Sequence, residues 1–171
     1  TAGVSVSGIA QRMFAGVDSF SYLAIPMFML AGKLMEYGGI SARIVQVAKI
    51  LCAKVRGGLA ITSIVACSFF AALSGSAPAT VSAIGGIMYP EMLKDGYDEE
   101  FAGGMISVAG NLGPLIPPSI LMVTIGVCTG VSISDMFLGG IVIGILLAVV
   151  FCLTAYVICR RRNYGGSGQT Y

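Results

Sequence analysis

Charged residues are scarce in this sequence. Ten Lys and Arg and eight Asp and Glu make up 11% of its 171 residues, while 56% are hydrophobic. A soluble domain of this length carries roughly a quarter charged residues, so the composition predicts an integral membrane protein surrounded by lipid. The net charge of +2 is too small to indicate a nucleic-acid partner.

Histidine is absent, which excludes a Ser–His catalytic pair within the chain. The five cysteines form no CxxC pair and mostly lie in apolar stretches, so we interpret them as packed thiols. The opening TAGVSVSGIAQRMF has no basic start followed by an apolar core, and it does not predict a signal peptide. It also has no initiator Met, and we expect the chain to be a fragment of a longer protein.

Three long stretches carry no charge: 57–90, 101–134 and 136–159. Because a helix rises 1.5 Å per residue and the hydrocarbon core is about 30 Å thick, one span takes about 20 apolar residues. Residues 136–159 suit a single transmembrane helix, and the Arg triplet 160–162 that follows is typical of a cytoplasmic end. The other two stretches have 34 residues each, too long for one span and short for two.

Each 34-residue stretch is interrupted near its middle, by SGSAPAT at 74–80 and by NLGPLIPPS at 111–119. Proline removes a backbone donor, and glycine adopts angles that other residues avoid. Backbone N–H and C=O groups that lose their hydrogen-bond partners at membrane depth are tolerated only inside protein or against a polar cavity. The predicted elements are two arms, 57–73 and 77–90, joined by a tight turn, and two half-helices, about 99–110 and 119–130, joined by an extended Pro117-Pro118 linker.

Topology follows from the basic residues. If the Arg triplet is cytoplasmic, one 34-residue stretch must enter and leave on the same side while the other crosses. The positive-inside rule barely separates the two choices. A Ser-Gly-Ser turn reverses sharply and Pro-Pro favours an extended path, so we predict that 57–90 is the re-entrant hairpin.

The two interruptions are rich in oxygen. The ends of helices leave backbone groups unpaired, with carbonyls available to cations at C-termini and N–H groups available to anions at N-termini. Prolines 117 and 118 have no N–H to donate to nearby carbonyls. The positions predicted to form a cage for a small hard cation such as Na⁺ are Ser74, Gly75, Ser76, Gly113 and Ile116.

Close packing of small residues is the alternative explanation, and we favour it for the glycine pairs 103–104 and 139–140. It does not explain a loss of helix in both long stretches. The acidic linker 91–100 is interpreted as a solvated loop leading into the next helix.

Four stretches, in this order and spacing, resemble the large membrane subunit of tripartite ATP-independent periplasmic (TRAP) transporters, the DctM type. They lie between residues 11 and 120: QRMFAGVDSFSYLAIPMFMLAGKLMEYGGIS, VRGGLA, FFAALSGSAPATVSAIGGIMYPEMLKDGYDEEFAGG and GNLGPLIPPSI. The resemblance implies a multi-pass permease of a bacterial or archaeal inner membrane. It would import an organic acid by a Na⁺ gradient and an elevator-like motion.

The resemblance also implies partners and site residues. The partners are a periplasmic substrate-binding protein (DctP-type) and a small membrane subunit (DctQ-type); Na⁺ is the coupling ion, and no organic cofactor is expected. The family's first sodium site, between hairpin tip and unwound helix, corresponds to Ser74, Gly75, Ser76, Gly113, Ile116 and Pro118. Candidate substrate contacts at the same interruptions are Ser76, Thr80, Asn111 and Ser119. Thr80 could instead bond to its own helix, and Asn111 could cap the broken end.

The predicted organisation is all-α, with a re-entrant hairpin and a broken helix. It comprises a scaffold-type helix with a preceding segment (1–40), an amphipathic arm in the cytoplasmic interface (41–56), half of a transport domain (57–130, with hairpin 57–90 and broken helix 98–130), a transmembrane helix (131–162) and a flexible tail (163–171). The family's second, inverted half is missing. The substrate stays open among C4-dicarboxylates, sialic acid, other sugar acids and keto acids.

Two other function classes compete with transport. SGSA could hold a nucleophile of an intramembrane hydrolase, but a Ser–Lys pair would need Lys94 near the surface, and Tyr97-Asp98 has no GxGD partner. A channel or a non-transporting scaffold is the other class. Aqueous pores often show polar stripes along whole helices, whereas polarity here is confined to the interruptions.

Overall fold

Helices make up most of the described chain. The computed structural model describes residues 6–18, 20–52, 55 and 57–164, and no strand occurs among them. The helices of that part are α1 (Val6–Val17), α2 (Phe20–Tyr37), α3 (Ile40–Cys52), α4 (Gly58–Ser74), α5 (Ala77–Lys94), α6 (Glu99–Gly110), α7 (Ile120–Thr129) and α8 (Ile133–Arg162). The all-α prediction is confirmed. Of the predicted tail, Asn163 and Tyr164 are described and the rest lies outside the described residues.

Among the described residues, α8 alone is long and apolar enough to cross a membrane, with a mean hydropathy of 2.9. It extends the predicted span 136–159 by three residues at each end. The Ser132 hydroxyl accepts a hydrogen bond from the Asp135 N–H at 3.3 Å and caps the N-terminus. The Arg triplet 160–162 forms the last turn, where the helix dipole stabilises positive charge.

The helices α4 and α5 form a hairpin with a two-residue turn. Gly75, at φ 60°, donates its N–H to the Ala71 carbonyl at 2.9 Å and ends α4 in the left-handed conformation that favours glycine. Pro78 lies in the first turn of α5, where its missing N–H has no partner to lose. The predicted arms end at 73 and begin again at 77; α4 ends at Ser74 and α5 begins at Ala77, so that Gly75 and Ser76 alone are non-helical between them.

The predicted end of this hairpin at Pro90 is wrong, because α5 continues to Lys94. A proline inside a helix removes one backbone hydrogen bond. Met88 and Met92, both fully buried, hold the turns on either side of Pro90 against the core. Burial therefore outweighs the helix-breaking tendency of Pro90.

The segment 111–119 separates α6 from α7. Instead of the extended Pro117-Pro118 linker that we predicted, residues 111–118 fold into successive turns and bends. The Ile116 N–H donates to the Leu112 carbonyl at 2.8 Å, and Leu112 is fully buried. The peptide bond between the two prolines is cis. The anchor at Leu112 keeps this linker compact.

The predicted arm 41–56 contains α3, which packs against the hairpin. Val45 and Ala48 are buried, and the Lys49 Nζ lies 2.5 Å from Glu91 Oε2 of α5. Residues 53, 54 and 56 of the predicted arm lie outside the described residues. The location of this arm in a membrane interface stays a prediction.

The core joins α3, α4, α5 and α6 with the second half of α8, which contributes Ala155 and Cys159. Its largest fully buried side chains include Phe70, Ile64, Ile84 and Met88. Two glycines bring helices close together. A Cβ on Gly85 would lie 3.0 Å from the Ile106 side chain, and a Cβ on Gly110 would overlap Val81. This small-residue packing explains part of the chain's high glycine content.

One end of the molecule collects the start of α4, the start of α6 and the end of α8, and we name it the basic end. A Cβ on Gly57 would lie 2.6 Å from Cys159 Cβ. The Arg162 guanidinium lies 2.9 Å from the Asp98 carboxylate, which also accepts a hydrogen bond from the Tyr164 hydroxyl. Tyr97 stacks on Tyr164 with ring centroids 4.9 Å apart. Both open ends of the hairpin therefore lie beside the arginine-rich terminus of α8.

Replacing Gly110 tests the close contact between α5 and α6. We expect Gly110→Ala to lower stability by about 1–3 kcal/mol, because the added methyl group overlaps Val81. Gly104→Ala is the matched control on α6, since nothing lies within 4 Å of a Cβ there. It should be neutral, or stabilising by up to about 1 kcal/mol through helix propensity. Thermal unfolding of the purified full-length protein measures both, and equal melting temperatures would contradict the packing described here.

Candidate cation and substrate site

The hairpin tip touches the linker between α6 and α7 through backbone atoms. Any side chain at Gly75 would overlap the Pro118 carbonyl oxygen and approach the Ile120 N–H. A Cβ on Gly113 would lie 2.8 Å from Ala77 N and 3.0 Å from Ser76 O. Glycine is thus required at both contacts, and the two predicted interruptions meet at one place.

A small hydrogen-bond network fixes the tip. The Thr80 hydroxyl donates to the Ser76 carbonyl at 2.8 Å, because a carbonyl can only accept. The Ser74 and Thr80 hydroxyls share a 3.0 Å hydrogen bond in which either can donate. The Ser74 hydroxyl also donates to the Ser76 carbonyl and accepts from the Ser76 N–H, each at 3.4 Å.

Several carbonyls around the tip have no hydrogen-bond partner. Within the described part of the chain, no N–H or hydroxyl donates to the last three carbonyls of α4 or to those of Gly113, Ile116 and Pro118. The carbonyls at the end of α6 differ, since turns in the linker satisfy them; the Gly113 N–H, for example, donates to the Gly110 carbonyl at 3.0 Å. The negative end of α4 therefore has the greater number of free acceptors.

Helix N-termini meet at the same level. α5 begins at Ala77 and α7 begins at Ile120, each directly beside the tip. The Met122 N–H is capped by Ser119 and Pro78 has no N–H. Within the described residues, however, the N–H groups of Ala79 and Leu121 have no acceptor, and such groups at a helix N-terminus favour anions. The tip thus places acceptors for a cation next to donors for an anion.

The linker is held against α8 on its other side. A Cβ on Gly144 would lie 2.7 Å from the Ile116 side chain, and one on Gly140 would lie 2.6 Å from the Leu115 carbonyl. Gly144 is 18 residues before Arg162, which corresponds to about 27 Å of helix. The 17 residues of α4 correspond to about 25 Å. Both helices therefore place the tip at the same height above the basic end.

The predicted cation residues come together at this point, with one difference. Ser74, Gly75, Ser76, Gly113 and Pro118 belong to the backbone contacts around the tip, whereas the Ile116 side chain faces α8. No group of three or more His, Cys, Asp or Glu suited to a metal occurs among residues 6–18, 20–52, 55 and 57–164. A cation here would be held by hydroxyl and carbonyl oxygens.

The predicted substrate residues occupy different surroundings. Thr80 and Ser119 are both 0% exposed, and the Ser119 hydroxyl accepts from the Met122 N–H at 3.3 Å as the N-cap of α7. Asn111 is exposed, and its side chain donates to the Ser107 carbonyl of α6 at 3.3 Å, which favours the capping alternative. Ser76 lines the cavity described next. In this structure Thr80 and Ser119 hold the site together.

A cavity of about 80 Å³ opens beside the tip. Its walls come from the tip, α5, α7 and, unexpectedly, α2: Met29, Gly32, Lys33, Glu36, Ser74, Ser76, Ala79 and Ile120. The approach of α2 to the tip was not predicted. Gly32 is compatible with it, but no local pattern in the sequence indicates which helix α2 contacts.

Comparison with known proteins identifies the family of this chain. Residues 2–170 match the family model described as tripartite ATP-independent periplasmic transporter, DctM component. The chain is 49% identical over 160 residues to the C4-dicarboxylate TRAP transporter large permease protein DctM of Vibrio cholerae, covering 93% of this chain and 35% of that protein.

Two further relatives are named for other solutes. The isethionate TRAP transporter permease protein DctMQ of Oleidesulfovibrio alaskensis is 40% identical over 92% of this chain and 25% of its own length. The sialic acid TRAP transporter large permease protein SiaM of Vibrio cholerae is 37% identical over 96% of this chain and 38% of its own. The chain spans between a quarter and two fifths of these relatives, which are named as permeases and not as enzymes. It belongs to the DctM family, the large permease component of TRAP transporters.

Proposed function

We propose that this chain is part of the membrane permease of a Na⁺-coupled secondary transporter that imports an organic acid and is not an enzyme. A DctP-type periplasmic protein would deliver the substrate, and a DctQ-type small subunit would brace the permease in a bacterial or archaeal inner membrane. The observation that carries this proposal is the meeting of the hairpin tip with the linker, where cation acceptors and anion donors lie side by side.

The membrane placement rests on the basic end. Because both open ends of the hairpin lie beside the arginine-rich terminus of α8, the hairpin enters and leaves on the side of that terminus, which is cytoplasmic by the positive-inside rule. The tip then lies about 25 Å deep, past the middle of a hydrocarbon core about 30 Å thick. The helices α6 and α7, interrupted by the linker, cross as the broken helix, and α8 returns.

The cation is Na⁺, held by the Ser74 and Ser76 oxygens and by unpaired carbonyls of Gly113, Ile116 and Pro118. Oxygen ligands suit small hard cations, and the negative end of α4 adds to the attraction. The Thr80 hydroxyl fixes the geometry by engaging both Ser76 and Ser74. Coupling follows because a cation bound at this tip lowers the cost of bringing an anion to the same place.

The anionic group of the substrate lies at the N-termini of α5 and α7, near Ser76 and Asn111. The relatives are named for a C4-dicarboxylate, isethionate and sialic acid, all of which carry an acidic group. Recognition of one acidic group at helix N-termini would serve all three. The rest of the substrate is recognised elsewhere, by parts of the longer protein and its periplasmic partner.

Alternating access takes the form of an elevator-like movement. The helices α3 to α6 share one buried core, and glycine contacts join the linker to α8. Such packing favours displacement of the tip as part of a rigid body over its local opening. A second, inverted half, with its own hairpin and broken helix, completes the transport site.

Replacing the tip hydroxyls tests the cation site. In the full-length transporter with its partners, Ser74→Ala and Ser76→Ala should each raise the Na⁺ concentration for half-maximal uptake at least tenfold, because each removes a ligand. Ser68→Ala is the control on α4, since that hydroxyl donates to its own helix at the Ile64 carbonyl, 2.8 Å away. Uptake into proteoliposomes at varied Na⁺ provides the measurement. Unchanged Na⁺ dependence in both tip variants would overturn the assignment.

Replacing Gly75 tests the contact with Pro118. We expect Gly75→Ala to abolish Na⁺-dependent uptake, because the methyl group would displace the Pro118 carbonyl. Gly130→Ala is a matched control: both glycines end a helix in the left-handed conformation, with φ 60° and φ 74°, but nothing lies within 4 Å of a Cβ at Gly130. The control should cost only about 1–2 kcal/mol of backbone strain and retain uptake. Equal loss in both variants would show strain and not the contact to be responsible.

A further inference from the structure

The cavity beside the tip has an ion pair in its wall. Lys33 and Glu36 of α2 are the charged side chains among its lining residues. The backbone of α2 passes close to the tip at Gly32, where an added Cβ would lie 3.5 Å from the Ser74 Cα, in van der Waals contact. The pair therefore lies next to the proposed cation ligands.

The two charges neutralise each other. Lys33 Nζ donates to Glu36 Oε2 at 2.7 Å, and the side chains are 56% and 23% exposed, respectively. Glu36 is thus the more enclosed partner, with Lys33 nearer to solvent. Exposed pairs three residues apart add little to helix stability. Fold stability therefore gives no strong reason for placing two charges in this cavity.

A charge in a cavity acts on any ion that binds there. At separations of several ångströms and with the reduced screening of a protein surface, removing one unit charge changes the affinity of a neighbouring monovalent ion by roughly three- to tenfold. Whether the affinity for Na⁺ rises or falls depends on which charged partner remains. An unpaired carboxylate attracts Na⁺, and an unpaired ammonium repels it.

We infer that the Lys33–Glu36 pair sets the Na⁺ affinity of the tip, with Glu36 strengthening cation binding and Lys33 limiting it. The inference rests on the proposed function and adds to it the two residues of α2 that tune the site. Na⁺ bound too tightly would not be released to the cytoplasm, so a neutral pair keeps the affinity in a range compatible with turnover.

The test is Na⁺ binding by the purified full-length protein, measured as the rise in melting temperature with Na⁺ concentration. Choline chloride replaces NaCl so that ionic strength is constant. Lys33→Gln should tighten Na⁺ binding three- to tenfold, and Glu36→Gln should weaken it by a similar factor. The double variant and Lys33→Arg should both remain within about twofold of the unmodified protein.

The pair Lys49–Glu91 supplies the matched control, since the same replacements remove the same charges there. Glu91 lies 14 residues after Ala77, about 21 Å along α5 from the tip. Lys49→Gln and Glu91→Gln should leave Na⁺ binding unchanged. Shifts of the same size at this pair would overturn the inference by showing a general effect of net charge.

The outcomes separate this inference from the proposed function. If the unmodified protein binds Na⁺ and the two single variants do not shift its affinity in opposite directions, the inference is wrong and the proposed function stands. If the unmodified protein shows neither Na⁺-dependent stabilisation nor Na⁺-dependent uptake, both are wrong. Each single variant predicts a shift of its own sign, so if one of them folds poorly, the shift in the other, compared with the double variant, still tests the inference.

Discussion

The contact between two backbones at the hairpin tip is the constraint on which the rest depends. Gly75 lies against the Pro118 carbonyl and Gly113 lies against Ser76, with no side chain between them. Because the backbones touch, the end of α4 and the start of α5 face the linker and the start of α7 at one level. Unpaired backbone groups that would be costly in lipid are enclosed by protein at this contact, and in the proposed function they serve as ligands.

The remaining packing maintains that contact. The buried side chains of α3 to α6 pack around the hairpin, and Gly140 and Gly144 of α8 contact the linker from the other side. The Thr80 hydroxyl, fully buried, fixes the shape of the tip itself. Small residues thus occur both where two helices pack closely and where one backbone segment contacts another.

The sequence predicts the interruptions well but not their details. Proline, glycine and the excess length of two apolar stretches indicate both places, and α6 begins and ends where expected. The error at Pro90 has a physical cause: burial of Met88 and Met92 outweighs the one backbone hydrogen bond that the proline removes. The approach of α2 to the tip could not be predicted, because it depends on tertiary packing that no local pattern encodes.

The basic end connects the hairpin to α8 through Asp98, Arg162 and two stacked tyrosine rings. These contacts form an aromatic clamp that holds the open ends of α4 and α5 together beside α8, so the two helices cannot separate at that end of the molecule. Any displacement of the tip is then transmitted along the full length of α4 and α5 to the aromatic clamp. The aromatic clamp and the hairpin tip lie at opposite ends of α4 and α5, so a rigid hairpin couples the position of one to the position of the other.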